Sequence, residues 1–290
     1  MKKMFALGFF DGVHLGHQKI LAECCDLAKK TDATACAITF LQHPQTLFAD
    51  TPPKLINTYA DRERLLRQFG IGPIYAYPVT REIMGMPWKA FLEELVGYGA
   101  VGFVCGQDFR FGNRGEGDVR KLQSFCREKD LAVRVVDDQN LGGIRVSSTH
   151  IRSLLAAGDV EQAKNFLGHP HILSGCVVPG RQLGRTIGIP TANLAFPEEL
   201  QPLPYGVYAC KAEVEGAEYM AVTNIGTRPT VAGESVTVEP YLLDFAGDLY
   251  GKTLTLSFHK FLRPERKFPS LEELKTQIAA DIAQARTILK

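Results

Sequence analysis

The chain has 290 residues, 45% of them hydrophobic and 22% charged, and its 33 Lys and Arg stand against 32 Asp and Glu for a formal charge of +1. That usage is ordinary for a soluble globular protein and excludes disorder, a collagen-like repeat and a coiled-coil rod. The charge balance leaves no global footprint for DNA or RNA. No apolar run reaches the roughly 18 residues of a membrane-spanning helix. The basic start MKKMFALGFFDG breaks at Asp11, too soon for a signal peptide.

At roughly 150 residues per domain the length implies two domains. Short β-type runs alternate with helical patterns up to about residue 165. Lys3–Gly8, Ala33–Phe40, Pro73–Tyr77, Val101–Gly106 and Ala132–Asp137 read as strands. Between them, His17–Lys30, Asp61–Phe69, Pro87–Tyr98 and Asp118–Lys129 carry apolar residues at helical spacing. Thr149–Ala157 and Val160–Leu167 add two short helices. Such alternation predicts βαβ units and a parallel sheet with helices on both faces. The texture changes after Gly168-His169-Pro170. Val, Thr, Tyr and Leu runs separated by Gly and Pro predict an antiparallel barrel or sandwich over 171–263. Ser270-Leu271-Glu272-Glu273 is a capping box for a terminal helix with Leu274, Ile278, Ile282, Ala285 and Leu289 on its apolar stripe. The expected division is 1–168 and 169–290.

The seven cysteines show neither a CxxC pair nor zinc spacing. They read as free thiols of a reducing compartment, so the expected location is the cytoplasm. Two phosphate-binding patterns stand in the wrong context. Gly97-Tyr98-Gly99-Ala100-Val101-Gly102 matches GxGxxG but follows a helix and precedes a strand, the reverse of the dinucleotide fingerprint. Gly251-Lys252-Thr253 ends like a P-loop, yet no helix follows it to present amides to phosphate.

Gly8-Phe9-Phe10-Asp11-Gly12-Val13-His14-Leu15-Gly16-His17 lies where the first strand gives way to the first helix, at the edge where parallel sheets bind ligands. Gly12 and Gly16 permit close backbone approach. His14 and His17 stand at the positive end of a helix, beside free amides suited to polyphosphate. There they can donate to phosphoryl oxygens as charge develops in an in-line displacement. Val146-Ser147-Ser148-Thr149-His150-Ile151-Arg152 puts hydroxyls and a guanidinium at a second helix start, groups that suit outer phosphates. Read alone, Ser148 is equally well explained as an N-cap.

Together GFFDGVHLGHQ, then Gly106-Gln107-Asp108-Phe109-Arg110-Phe111-Gly112, then SSTHIR resemble the bacterial bifunctional riboflavin kinase/FMN adenylyltransferases. The resemblance implies a Rossmann-like nucleotidyltransferase domain in which Gly8, Phe10, Asp11, Gly12, Gly16, Ser148, Thr149 and Arg152 bind ATP. His14 and His17 would be catalytic, and Asp108, Phe109 and Phe111 would line the flavin side. Phe9 stands where that family commonly has Asn, and Leu41-Gln42-His43-Pro44 replaces an acidic-Pro-His-Pro.

In the second half, Gly180–Asn193 is rich in glycine and cation. Thr191 and Asn193 place a hydroxyl and an amide oxygen two residues apart after a rigid proline, hard donors of the kind Mg2+ takes. Glu239 breaks an apolar strand, and taken alone it fits an outward-facing strand carboxylate. With Asn224–Thr230 and Val238–Phe245, the pattern resembles the riboflavin kinase module, a small antiparallel β-barrel. The resemblance implies that Gly184, Arg185 and Gly188 contact ATP, Arg228 the flavin, and Thr191 and Asn193 the metal. Glu239 would accept the riboflavin 5′-hydroxyl proton.

The expected function is conversion of riboflavin to FMN and of FMN to FAD, with ATP, riboflavin and FMN as partners, Mg2+ as cofactor, and neither nucleic acid nor membrane. The sequence sets no oligomeric state. A different adenylyl- or cytidylyltransferase with a regulatory β domain is disfavoured by the intact PTAN loop and Glu239. A tRNA-binding relative of class I synthetases is disfavoured by the neutral charge and the lack of a KMSKS-like loop. A non-catalytic flavin sensor is a weaker reading still.

Overall fold

The computed structural model describes residues 1–180, 188–230 and 233–290, except for the side chains of 228–230 and 233–235. The described residues form two compact units, Met1–Leu55 with Tyr59–Ser148, and Ile56–Thr58 with Thr149–Lys290.

In the first unit, β1 (Lys3–Leu7), β2 (Thr34–Phe40), β3 (Ile74–Tyr77), β4 (Ala100–Gly106) and β5 (Ala132–Val136) form one parallel sheet in the order β3-β2-β1-β4-β5. Both faces of a parallel sheet are covered by its crossover helices, so central strands should be apolar throughout. Met4, Phe5, Ala6 and Leu7 of β1 are accordingly buried. The crossovers carry α1 (Leu15–Lys30), α2 (Tyr59–Gln68), the single turn α3 (Arg81–Met84), α4 (Trp88–Gly97) and α5 (Val119–Glu128), which Asp118 caps by accepting from the Lys121 amide at 2.9 Å. From β1 the chain builds outward through β2 and β3, then returns to the other side of β1 for β4 and β5. The strand order therefore reverses between β1 and β4. Ligands of open α/β sheets bind outside the carboxyl ends of the strands at such a reversal. A small hairpin that sequence patterning did not show, β6 (Asn140–Leu141) with β7 (Ile144–Arg145), follows β5.

The second unit opens with the body of α6 (Ser148–Ala156) and with α7 (Val160–Leu167). The strands are β8 (His171–Cys176), β9 (Leu194–Ala195), β10 (Gly206–Val214), β11 (Ala217–Thr230), β12 (Gly233–Leu242) and β13 (Thr253–Pro264), in the antiparallel order β8-β13-β10-β11-β12-β9. Its two outer strands meet. Leu194 lies 3.6 Å from where a Cβ on Gly175 would stand, and the Val178 amide donates to the Asn193 carbonyl at 2.9 Å. The sheet is thus a nearly closed barrel, the arrangement that removes exposed strand edges.

The helix α8 (Leu271–Leu289) starts at the expected cap, Ser270 accepting from the Glu273 amide at 3.2 Å, and buries Ala285 and Leu289 against Val207, Ala209 and Val222. Its apolar stripe also contains Asp281, 3% exposed. Asp281 accepts from Arg263 Nε at 3.1 Å and from Nη2 at 2.8 Å, and from Gln277 at 2.8 Å. The forked geometry satisfies a carboxylate that burial would otherwise penalise.

The compact units part between Ser148 and Thr149, ahead of the change of texture at Gly168. Packing explains this. Helix α7 lies against β8 and β13, Phe166 and Leu167 are buried, and the His150 ring meets Phe166 edge-on at 4.6 Å. Gly168 is the left-handed C-cap of α7 and lies within the unit. A short piece of the earlier chain also belongs here, with buried Asn57 donating to the Ile172 carbonyl of β8 at 3.3 Å. The two rejected phosphate patterns are turns: Gly97 ends α4 with β4 starting at Ala100, and Gly251-Lys252 leads into β13.

Candidate active sites

The turn after β1 is built to hold two imidazoles at a helix start. Gly8 leaves the strand, and Asp11–Val13 make a single 3-10 turn before His14 caps α1. Phe10 (φ 59°), Gly12 (φ 81°) and Val13 (φ 39°) put three left-handed positions within four residues and reverse the chain tightly. Non-glycine residues hold such angles only where the surroundings over-determine them, and these positions cluster at functional sites. His14 Nδ1 accepts the His17 amide at 3.3 Å, which leaves the proton of a neutral His14 on Nε2. The two rings stack at 3.6 Å and 14°. Gly16 permits this, because a Cβ there would press 3.2 Å from the His14 ring.

Burial first, then the neighbouring His14 and the cation of Arg62, hold the His17 pKa well below its ordinary value. At neutral pH His17 is therefore an uncharged imidazole, a proton donor at one nitrogen that brings no like charge to its stacked neighbour. The amides of the first turn of α1 add the positive end of its dipole.

The turn after β4 sits across the reversal from it. Asp108 is exposed and paired with Arg145 at 2.7 Å, and Arg145 also holds Asp138 at 2.8 Å, which fastens the β6–β7 hairpin to this turn. Phe109 and Phe111 stack at 5.4 Å and 15°. Phe111 is 7% exposed and belongs to the hydrophobic core beside Trp88 and Phe91. Of the pair, half-buried Phe109 has ring surface to offer a ligand, and Phe111 backs it.

Ser148 joins the SSTHIR segment to the first turn, its hydroxyl donating to the Asp11 carbonyl at 2.9 Å. Thr149 and Arg152 follow on α6 within the second unit, where Arg152 donates to the Thr149 hydroxyl at 3.3 Å.

The barrel's polar face is centred on β12. Leu194 pairs with Val238, and the Ala192 amide donates to the Pro240 carbonyl at 2.9 Å. Asn193 is therefore opposite Glu239, and alternation along the two segments turns Thr191, Asn193, Thr237 and Glu239 to the same face. On the other side of β12, Glu239 pairs with Asn224 of β11. Thr237 donates to Glu239 at 3.4 Å, and Asn224 donates to Glu265 at 3.3 Å. Gly180 makes room for the Asn193 amide. This set of hydroxyl, amide and carboxylate oxygens, free of sulfur and imidazole, fits a hard divalent cation that keeps waters and phosphate oxygens in its shell. Gly188 is exposed in the left-handed region, while Gly184, Arg185 and the Arg228 side chain lie outside the described residues.

Two family models match this chain, FAD synthetase over residues 1–150 and riboflavin kinase over residues 167–289. The chain belongs to the bifunctional riboflavin kinase/FMN adenylyltransferase family. Relatives of that description are 38% identical in Pseudomonas fluorescens (97% of this chain, 91% of the relative) and 36% identical in Bacillus subtilis (98% and 92%). One from Escherichia coli K12 is 38% identical (98% and 91%). A solved chain from Streptococcus pneumoniae, described as a macrolide-efflux protein, is 29% identical with a TM-score of 0.87, covering 98% of this chain and 94% of its own length. Among the described residues no helix is long and apolar enough to cross a membrane. Family members joining these two activities generally need a divalent metal for phosphoryl and nucleotidyl transfer.

Residues the sequence did not single out stand beside those it did. Arg62 lies under the turn after β1, Arg145 holds Asp108, and Glu265, accepting from Asn224, extends the polar face around Glu239. Arg62 left one trace in the sequence: it shares a helical face with buried Leu65 and Leu66, a cation where an apolar residue is expected. Asn224 opens the Asn224–Thr230 segment already singled out, whereas its partner Glu265, 41 residues further on, left no trace.

Proposed function

We propose that residues 1–168 adenylylate FMN and residues 169–290 phosphorylate riboflavin, each at its own site, in the cytoplasm. The observation that carries the reading is the convergence at the sheet's reversal of a stacked His14–His17 pair on a helix N-terminus and the Asp108–Phe109 turn after β4. The free state of all seven cysteines supports a reducing compartment.

In adenylyl transfer, an oxygen of the FMN phosphate attacks the α-phosphorus of ATP and pyrophosphate leaves. Gly8, Phe10, Asp11, Gly12 and Gly16 shape the backbone cradle, and the amides at the start of α1 receive the phosphates. His14, through Nε2, and His17 donate to the oxygens on which charge accumulates. Ser148 fastens the cradle, Thr149 and Arg152 receive the outer phosphates, and Phe109 with Asp108 receives the flavin.

In the kinase step, the riboflavin 5′-hydroxyl attacks the γ-phosphorus and ADP leaves. Glu239 takes the hydroxyl proton. Thr191 and Asn193 would hold Mg2+, which when bound neutralises phosphate charge. Gly184, Arg185 and Gly188 would follow the ATP phosphates and Arg228 the flavin. Alignment and charge neutralisation suffice for such a transfer. Incubation with riboflavin, ATP and Mg2+, followed by chromatographic separation of FMN and FAD, tests the reading. Formation of FMN without FAD, or of neither, refutes it.

A further inference from the structure

A buried cation under the first site has entered so far only through its field on His17. Arg62 projects from the first turn of α2 and is 0% exposed, the largest fully buried side chain among the described residues. Its Nη2 donates to the carbonyls of Phe40 and Leu41, where β2 ends at the carboxyl edge of the sheet. Its guanidinium carbon lies 4.3 Å from the centre of the Phe9 ring and 5.6 Å from that of Tyr59. Asp11 and His17 both lie within its field. Burial pulls its pKa down to about 10, which still leaves it charged at neutral pH.

Stability alone does not account for this residue. Nε and Nη1 are buried without a hydrogen-bond partner, and a buried donor left unpaired opposes folding. A methionine of similar length would fill the same space without that cost. What Arg62 reaches is the entrance to the strained turn. Phe9 is gripped twice: its ring by the guanidinium, its carbonyl by the Thr39 hydroxyl at 2.9 Å. The next residue, Phe10, takes a left-handed angle and packs its ring edge-on against His17 at 5.3 Å. A continuous chain of contacts thus runs from the end of β2 through Arg62 and the Phe9-Phe10 pair to the second histidine.

We propose that Arg62 is a positioning residue for adenylyl transfer, clamping the Phe9–Val13 turn to the carboxyl end of β2 so that the His14–His17 pair is held in register with the phosphates. The proposal rests on the assignment of that pair to adenylyl transfer. Arg62 acts through Phe9 and Phe10 rather than on substrate. Its two unpartnered donors fit a part whose geometry is set by the site and not by its own hydrogen bonding.

The test uses the full chain with Arg62→Met and Arg62→Lys, following FAD formation from FMN, FMN formation from riboflavin, and thermal unfolding. A clamp released by about 1 Å lowers the rate by about 10²-fold. R62M should melt no lower than the parent, lose about 10²-fold in kcat for FAD formation with the KM for ATP within about threefold, and keep its riboflavin phosphorylation. R62K keeps the charge but not the planar fork that spans two carbonyls and a ring, and should lose about tenfold. The proposal is overturned by normal FAD turnover in folded R62M, or in R62K should only that variant fold. Failure of both variants to fold, or equal loss of both activities, makes Arg62 a structural residue and overturns it as well. His17→Ala in the same assay separates the two ideas: normal FAD formation there sinks the assignment of the histidines. Loss there beside normal turnover in R62M sinks the clamp alone.

Discussion

Replacing Gly180 with alanine probes the kinase face without touching any residue assigned to it. An added Cβ would lie 2.5 Å from Cγ and 2.6 Å from Oδ1 of Asn193, where nonbonded carbon contacts settle near 3.5–4.0 Å. Gly180 does not occupy the left-handed region, so alanine adds no backbone strain. The backbone of Asn193 cannot retreat, because its carbonyl accepts from Val178 at 2.9 Å and the next residue is paired with Val238. The amide must therefore swing away by about 1 Å, a displacement that costs about 10²-fold in rate when it falls on a positioning group. That is about 2.7 kcal/mol of transition-state stabilisation. Riboflavin phosphorylation should fall by this factor at saturating riboflavin, with FAD formation from supplied FMN as the internal control. Kinase turnover within about threefold of the parent would show that Asn193 has no part in holding ATP or its metal, and the assignment of the polar face would fail.

Glu239→Gln should reduce riboflavin phosphorylation by about 10²–10⁴-fold while riboflavin affinity and FMN adenylylation persist, whereas Thr191→Ala should chiefly weaken binding of ATP with its metal; near-normal turnover in E239Q means the base lies elsewhere. His14→Ala or His17→Ala should cut FAD formation by about 10²–10³-fold and spare FMN formation, as chromatography of both products will read. Burial drives the His171 pKa down to about 3, so the folded state binds fewer protons than the unfolded chain below about pH 6.5. Stability should then fall as pH drops from about 6.5 towards 3, by up to about 1.4 kcal/mol per pH unit, and thermal unfolding at pH 7 and pH 5 should show a shallower dependence in His171→Leu. A fragment of residues 149–290 should phosphorylate riboflavin without making FAD, and one of 171–290 should melt lower by circular dichroism because it lacks the α7 packing on β8 and β13.

The parts of the molecule legible in the sequence are those set by neighbours along the chain. Strand β1, the glycine-rich turn, and a helix opened by a histidine follow from local pattern, and the structure puts His14 and His17 on the turn as that pattern requires. The C-terminal helix was legible for the same reason, since Ser270 and Glu273 are three residues apart. Distance along the chain hid the rest. The alternation in Gly106–Gly112 makes Phe109 and Phe111 look equivalent, yet the arrival of Trp88 and Phe91 from α4 buries only the second. The place where the compact units part depends on α7 settling against β8 and β13, which no change of composition at Gly168 records. Arg62 was visible as an anomaly on an apolar face, but only its reach to Phe9 and the end of β2 gives the anomaly a meaning.

The two assigned sites differ in their acid–base groups, and the nucleophiles explain the difference. The phosphate of FMN is ionised at neutral pH, its second pKa being about 6. It has no proton to lose and must approach a triphosphate of the same sign. A carboxylate facing the reaction would hinder it; what helps is a set of donors without negative charge. The turn after β1 supplies helix amides and two stacked imidazoles, one of them kept neutral by burial, and its Asp11 is buried within the field of Arg62. Riboflavin brings a neutral hydroxyl that becomes a good nucleophile only as its proton leaves. The barrel face accordingly presents a half-buried carboxylate, Glu239, beside hydroxyl and amide groups suited to a cation. Exchanging the two sets would fail at both sites. A glutamate in place of His17 would repel the incoming FMN, and a histidine held neutral by burial in place of Glu239 would be a base without the charge to draw the hydroxyl towards ATP.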